Sequence, residues 1–371
     1  MTAAVRLAAR LCPLLSLGLV ACSGKLDLGH DYLTSPITTT PDASSSAPQK
    51  PNTPAVPDTP TPTTCVGIPC FAGPVIDVAV SDGAAKGLVM DADNVFWAAP
   101  AGQEMMVTPR DGSATMHVQT PTGGPYAVAE DDANVYFTSA DGGYVAMMPK
   151  TKRGPLAPRT PPPITVLVSG QTNPESILVA SEGIYFGDEM GGTVKLASFD
   201  GQTVQTLVNG LYTGAELALD DQSLYYLDSA GGEIHTIDRA SGVDTLLLAG
   251  LEHPVAPVVL GDDLYFLELG TEDNGYNDGR LSRIPKGGGD ATILLQDLDA
   301  PTGIAADTAA IYLCTRGTAL NGFLGKIVRL GDDGEVSTLA VNQPQPFAIA
   351  VDGQAVFWTT DANNTLRSIA R

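Results

Sequence analysis

From about residue 72 onward, apolar residues fall into short runs, and each run is cut off by a turn rich in Gly, Asp, Asn or Ser. The most regular run is an apolar-aromatic triplet that recurs seven times: Val95-Phe96-Trp97, Val135-Tyr136-Phe137, Ile184-Tyr185-Phe186, Leu224-Tyr225-Tyr226, Leu264-Tyr265-Phe266, Ile311-Tyr312-Leu313 and Val356-Phe357-Trp358. The central aromatics are 40, 49, 40, 40, 47 and 45 residues apart. A unit of that length holds four short strands, the period of a β-propeller blade. No stretch sustains a 3.6-residue apolar period, so helices are expected to be rare.

The fourth repeat shows the grammar. Strands are predicted over Ala215 to Leu219, Leu224 to Leu227, Glu233 to Ile237 and Val243 to Leu248, with Asp220-Asp221-Gln222-Ser223, Ser229-Ala230-Gly231-Gly232 and Arg239-Ala240-Ser241-Gly242 as turns. Those residues supply positive φ or side-chain capping. Runs such as Ile177-Leu178-Val179-Ala180 are apolar at consecutive positions, as in strands covered on both faces. The seventh repeat yields only three strands before the chain stops. Pro74 to Val80 lies upstream and is apolar enough to be the missing outer strand, which would join the two ends of the chain in one blade. The prediction is an all-β, seven-bladed propeller over residues 73–371. Six or eight blades would follow if one repeat were misassigned, the second most easily, because Lys150 to Pro163 lengthens it.

The first 72 residues obey different rules. Residues 1–21 carry Arg6 and Arg10, an apolar run from Leu11 to Val20 and a small residue before the cut, which is the plan of an export signal. Residues 22–72 contain eight prolines between Pro36 and Pro62, interleaved with Thr, Ser and Ala. Such a segment is a linker; at about 3.1 Å per residue in polyproline geometry it could hold the domain up to ~100 Å from an anchor. Cys65 and Cys70 stand where linker meets domain, and in an oxidising compartment they are expected to close a local disulfide. Cys314, inside a repeat strand, reads as a small buried filler.

Charge narrows the partners. Lys plus Arg number 20 against 42 Asp plus Glu, a formal net charge of −22, which argues against nucleic acid. The acids are scattered through turns, as on an exported surface. A monomer is expected.

Two resemblances carry further implications. Leu19-Val20-Ala21-Cys22 resembles the bacterial lipobox, which implies that Cys22 becomes the new N-terminus and carries acyl chains such as palmitate. Ser23 in the next position is similar to the residue that sends lipoproteins of two-membrane bacteria to the outer membrane. The resemblance implies a lipid-anchored protein of the cell envelope. Tyr185-Phe186-Gly187-Asp188, Tyr225-Tyr226-Leu227-Asp228 and Tyr265-Phe266-Leu267-Glu268 resemble the Tyr-Trp-Thr-Asp repeat of receptor propellers, which have six blades. Phe357-Trp358-Thr359 with Leu366-Arg367-Ser368-Ile369 is similar to NHL-like and virginiamycin-lyase-like propellers of seven. Those families include binding scaffolds and a few lyases, so they imply a fold and leave the activity open.

In a four-stranded meander the loops after strands two and four share one face of the ring. That face receives Glu175, Glu216 and His253 near entries to innermost strands, and Asp188, Glu189, Asp228 and Glu268 near the ends of second strands. It also receives the longest connections, Leu269 to Gly279 and Arg316 to Gly325, so it is the expected binding face for a protein, peptide or glycan ligand. The alternative is a lyase or hydrolase using His253 and Glu268 as an acid-base pair. Thr271 to Gly279 is rich in oxygen ligands but lacks the spacing of a calcium loop, so no cofactor is expected and calcium is the one candidate. The acidic pairs Asp131-Asp132, Asp220-Asp221 and Asp262-Asp263 fall in turns on the opposite face. The basic insert with Lys150, Lys152, Arg153 and Arg159 is expected to face away from the site.

Overall fold

The computed structural model describes residues 74–150, 161–213 and 215–370. The export signal, Cys22, the linker, Cys65 and Cys70, and residues 151–160 of the basic insert lie outside the described residues.

Seven antiparallel four-stranded sheets succeed one another along the chain. A first strand, β1 (Ile76–Val80), precedes them. The sheets are then β2–β5 (Leu88–Met90, Asn94–Ala99, Glu104–Pro109, Met116–Gln119), β6–β9 (Val128–Glu130, Asn134–Ser139, Tyr144–Pro149, Thr165–Ser169) and β10–β13 (Pro174–Ala180, Gly183–Asp188, Thr193–Ala197, Val204–Asn209). They continue as β14–β17 (Ala215–Leu219, Ser223–Asp228, Glu233–Asp238, Asp244–Ala249) and β18–β21 (Pro254–Leu260, Asp263–Glu268, Gly279–Pro285, Thr292–Leu298). Last come β22–β25 (Pro301–Ala306, Ala310–Thr315, Leu324–Gly331, Val336–Pro344) and β26–β28 (Pro346–Val351, Ala355–Thr360, Thr365–Ala370). We number these blades 1 to 7. The innermost strand of each blade neighbours that of the next, and β2 also neighbours β26, so the ring is closed.

The aromatic triplets build the core by the pleat. Successive side chains leave a strand on opposite faces, so the middle aromatic packs toward the following blade and its two neighbours toward the preceding one. Phe96 meets Phe137 and Met148 of blade 2, while Val95 and Trp97 meet Phe357 and Leu366 of blade 7. The same alternation fills the other gaps between blades. This is why these strands read as continuous apolar runs: neither face touches water.

Closure is as the sequence predicts. β1 pairs antiparallel with β28 (Ile76 opposite Ser368, Val80 opposite Thr365), and the Ser81 N–H donates to the Asn364 carbonyl at 2.9 Å. On the face opposite the expected site, first turns are capped by aspartates. Asp91, Asp131, Asp220, Asp307 and Asp352 each accept two backbone N–H groups at 2.7 to 3.0 Å. Turn geometry therefore accounts for Asp131 and Asp220. Lys150, at the edge of the insert, pairs with Glu130 at 2.8 Å.

Candidate functional site

A repeated fold places equivalent residues on a circle. A proline or alanine stands at the start of each innermost strand or three residues before it: Ala85, Pro125, Pro174, Ala215, Pro254, Pro301 and Pro346. The next residues, Lys86, Tyr126, Glu175, Glu216, Val255, Thr302 and Phe347, stand round one mouth of the ring. Neighbouring openings are tied together: Gly87 N–H donates to the Tyr126 carbonyl at 3.0 Å, the Thr302 hydroxyl to the Pro346 carbonyl at 3.0 Å, and the Thr359 hydroxyl to the Lys86 carbonyl at 2.9 Å.

The mouth has an acidic sector on blades 3 and 4. The Asn173 amide donates to Glu175 at 2.8 Å and to Glu189 at 2.9 Å, drawing the two carboxyls together. Burial pushes Glu175 up to about 9; the charge and hydrogen bond of Glu189 add to the rise, and the Asn173 amide and Lys86 charge oppose it. Glu175 therefore keeps its proton at neutral pH. Burial also pushes Glu216 up to about 7, opposed by the Ala256 N–H that donates to it and reinforced by the charge of Glu189. A carboxyl poised there can take or give a proton.

Across the mouth lies a basic and aromatic sector from blades 6, 7 and 1. Lys86 Nζ and Arg316 Nη2 each lie 3.1 Å from the same oxygen of Asp361. Arg316 also donates to Gln345 at 3.2 Å. Lys86 Nζ sits 4.1 Å from the Phe347 ring centroid and 5.8 Å from that of Tyr126, and those rings meet edge to face at 6.1 Å. Sequence reasoning missed this sector. The signal that finds it is the register of the strand openings, which makes Lys86 equivalent to Glu175.

The expected residues divide by task. Asp188, Asp228 and Glu268 are buried at the ends of second strands. Asp188 accepts the N–H groups of Thr172 at 3.1 Å and Asn173 at 2.7 Å and pairs with Lys195 at 3.2 Å. Asp228 accepts the Gly231 N–H at 2.9 Å, and Glu268 that of Glu252 at 3.1 Å. A Cβ on Gly191 or Gly231 would strike the carboxylate of Asp188 or Asp228, which explains the glycine in each turn. These acids hold the loops that shape the mouth. His253 lies in the turn entering blade 5 with φ 54°; Ala300 and Gln345, likewise placed before Pro301 and Pro346, share that conformation at φ 50°. His253 and Glu268 are brought close by backbone, since Glu268 faces Pro254 and the Leu269 N–H donates to the His253 carbonyl at 3.1 Å.

The long loops of blades 5 and 6 are ordered by their own polar groups. Asp278 accepts from the Thr271 N–H at 2.7 Å and its hydroxyl at 2.8 Å, and the Thr318 hydroxyl donates to Asn277 at 2.7 Å. Among the described residues no three His, Cys, Asp or Glu side chains are grouped to hold a metal ion. Cys314 is free and buried, and burial pushes its thiol up to about 12, far from a thiolate nucleophile.

No family model matches the chain, and no curated protein matches it. Solved structures do. Virginiamycin B lyase from Staphylococcus aureus is 17% identical with a TM-score of 0.64 over 80% of this chain and 98% of its own. A streptogramin B lyase is 16% identical with a TM-score of 0.66 over 80% and 97%. The WD40 repeats of RRP9 are 10% identical with a TM-score of 0.63 over 80% and 97%. At these identities the likeness shows the fold alone, a β-propeller shared by enzymes and binding modules.

Proposed function

We propose that this seven-bladed propeller is an exported lipoprotein, anchored through Cys22 to the bacterial envelope and held off the membrane by its proline-rich linker, that binds a ligand at the mouth of its ring. The observation that carries the binding reading is the mouth itself. Side chains of opposite charge, far apart in sequence, converge there from blades 1, 3, 4, 6 and 7, beside the rings of Tyr126 and Phe347. A basic sector paired on Asp361 facing an acidic sector gives the mouth a polarity that a ligand of complementary charge distribution matches. The anchor rests on the sequence of residues 1–23.

Two measurements on the full chain test the two halves. Cys22→Ala should move the protein from membrane to soluble fractions, and retention in the membrane refutes the anchor. Capture of a partner from envelope extract should be lost when residues 269–279 and 316–325 are replaced by glycine and serine, and unchanged capture rejects the face.

A second reading, an envelope lyase or hydrolase, is favoured by Glu216, whose carboxyl titrates near neutrality as a general acid or base should.

A further inference from the structure

Cations are scarce in this chain, 20 Lys plus Arg against 42 Asp plus Glu, yet two of them crowd onto one carboxylate at the mouth. Elsewhere a tie between neighbouring blades takes one cation per acid. On the opposite face Arg110 pairs with Asp352, Arg239 with Glu182 at 2.7 Å and Lys286 with Asp220 at 3.0 Å. At the mouth Lys86 and Arg316, 5% and 4% exposed, close on the same oxygen of Asp361. Holding blades 6, 7 and 1 together does not call for the second cation.

Lys86 also has donors to spare. An ammonium carries three protons, and the Asp361 oxygen is the one hydrogen-bond acceptor that Lys86 Nζ meets among the described residues. The Phe347 ring, with its centroid 4.1 Å away, closes a second side. What is left faces the mouth, for Lys86 stands at the strand position equivalent to Glu175, and its charge is felt by that residue on blade 3. A buried polar group with unanswered donors is costly, and an incoming acceptor removes the cost.

We propose that Lys86, with Arg316 beside it, receives a single carboxylate group of an organic ligand, which rests on the mouth being a binding site. Two cations against one carboxylate accommodate one further negative charge. A carboxylate brings that one charge, whereas a phosphate dianion brings two and faces the acidic sector across the mouth. The group could be the end of a chain or an acidic side chain, and the two share the same chemistry.

Calorimetry on the full chain at fixed ionic strength tests the site with N-acetylphenylalanine and its amide, with doubly capped glutamate and glutamine, and with inorganic phosphate. At least one acid should bind at least about tenfold tighter than its uncharged partner, and tighter than phosphate. The tighter acid tells whether a terminus or a side chain is read. Lys86→Gln should erase the difference between acid and amide. Asp361→Asn, which frees both cations, should tighten the acid by about tenfold, a gain that a purely structural cluster would not give. Equal binding of both acids and their uncharged partners, binding of none, phosphate tighter than either acid, or an acid preference that survives Lys86→Gln would overturn the proposal. Envelope capture that is lost in the loop-replaced chain but unchanged in Lys86→Gln leaves the binding face standing and removes this inference alone.

Discussion

A carboxyl buried at the opening of an innermost strand loses hydration without losing its neighbours, and Glu175 shows the consequence. Free in an unfolded chain it ionises near 4.5, whereas in the fold it holds its proton up to about 9. Between those values the folded state binds the extra proton, so stability falls as pH rises through that window. Glu216 adds a smaller loss between 4.5 and about 7. The turn aspartates act with the opposite sign. Burial alone would raise Asp131, but the Tyr136 hydroxyl and two backbone N–H groups outweigh it and hold it below 3.8, so its stabilisation is present above the unfolded value and fades as pH falls below it. Glu175→Gln should therefore raise the thermal midpoint near pH 8 by about 2 °C or more and leave it unchanged near pH 4, read by calorimetry. The sequence pointed to these acids through the strand to which each belongs. It did not point to Lys86, Arg316 and Asp361, because partners separated by 45 and 275 residues meet only when the ring closes.

Within a blade, the last residue of the second strand decides how the next loop is held. Ala99, Ser139, Asp188, Asp228, Glu268, Thr315 and Thr360 occupy that place in blades 1 to 7. Where it is acidic, its carboxylate reaches back to the loop that enters the same blade's innermost strand. Where it is a hydroxyl, the reach is shorter: Ser139 caps the Gly142 N–H at 3.2 Å, and Thr360 accepts the Thr365 N–H at 3.3 Å. A triplet capped by an acid, visible in the sequence as Phe186-Gly187-Asp188, therefore signals a loop support. Asp188→Ala should cost about 3 kcal/mol, because it orphans the Thr172 and Asn173 N–H groups and leaves Lys195 with the Gln171 side-chain carbonyl but no counter-charge, while the strands stay intact. A lower urea midpoint with an unchanged slope is the expected result. A fall in the slope would mean that the whole blade had come apart, because less surface would then remain to be exposed on unfolding.

At the scale of the molecule, seven sheets that share apolar faces are stable as a ring because no gap between blades is left open. β1 completes the last blade and ties the first described residues to the end of the chain. Removing residues before Ser81 should expose the edge of β28, lower the thermal midpoint and promote association through the bare strand, measured by light scattering alongside the melt. The sequence alone determined the blade count, the four-strand grammar, the closing strand and the face on which the long second-to-third-strand loops lie. Those are local properties: alternation comes from the pleat, turns from residues that tolerate positive φ, and period from the length of chain that four short strands need. Only the tertiary structure decided which charges confront one another across the mouth, that three acids serve as supports for loops, and that the Asn173 amide draws Glu175 and Glu189 together. Such facts depend on distances around a closed circle, and no spacing along a linear chain encodes them.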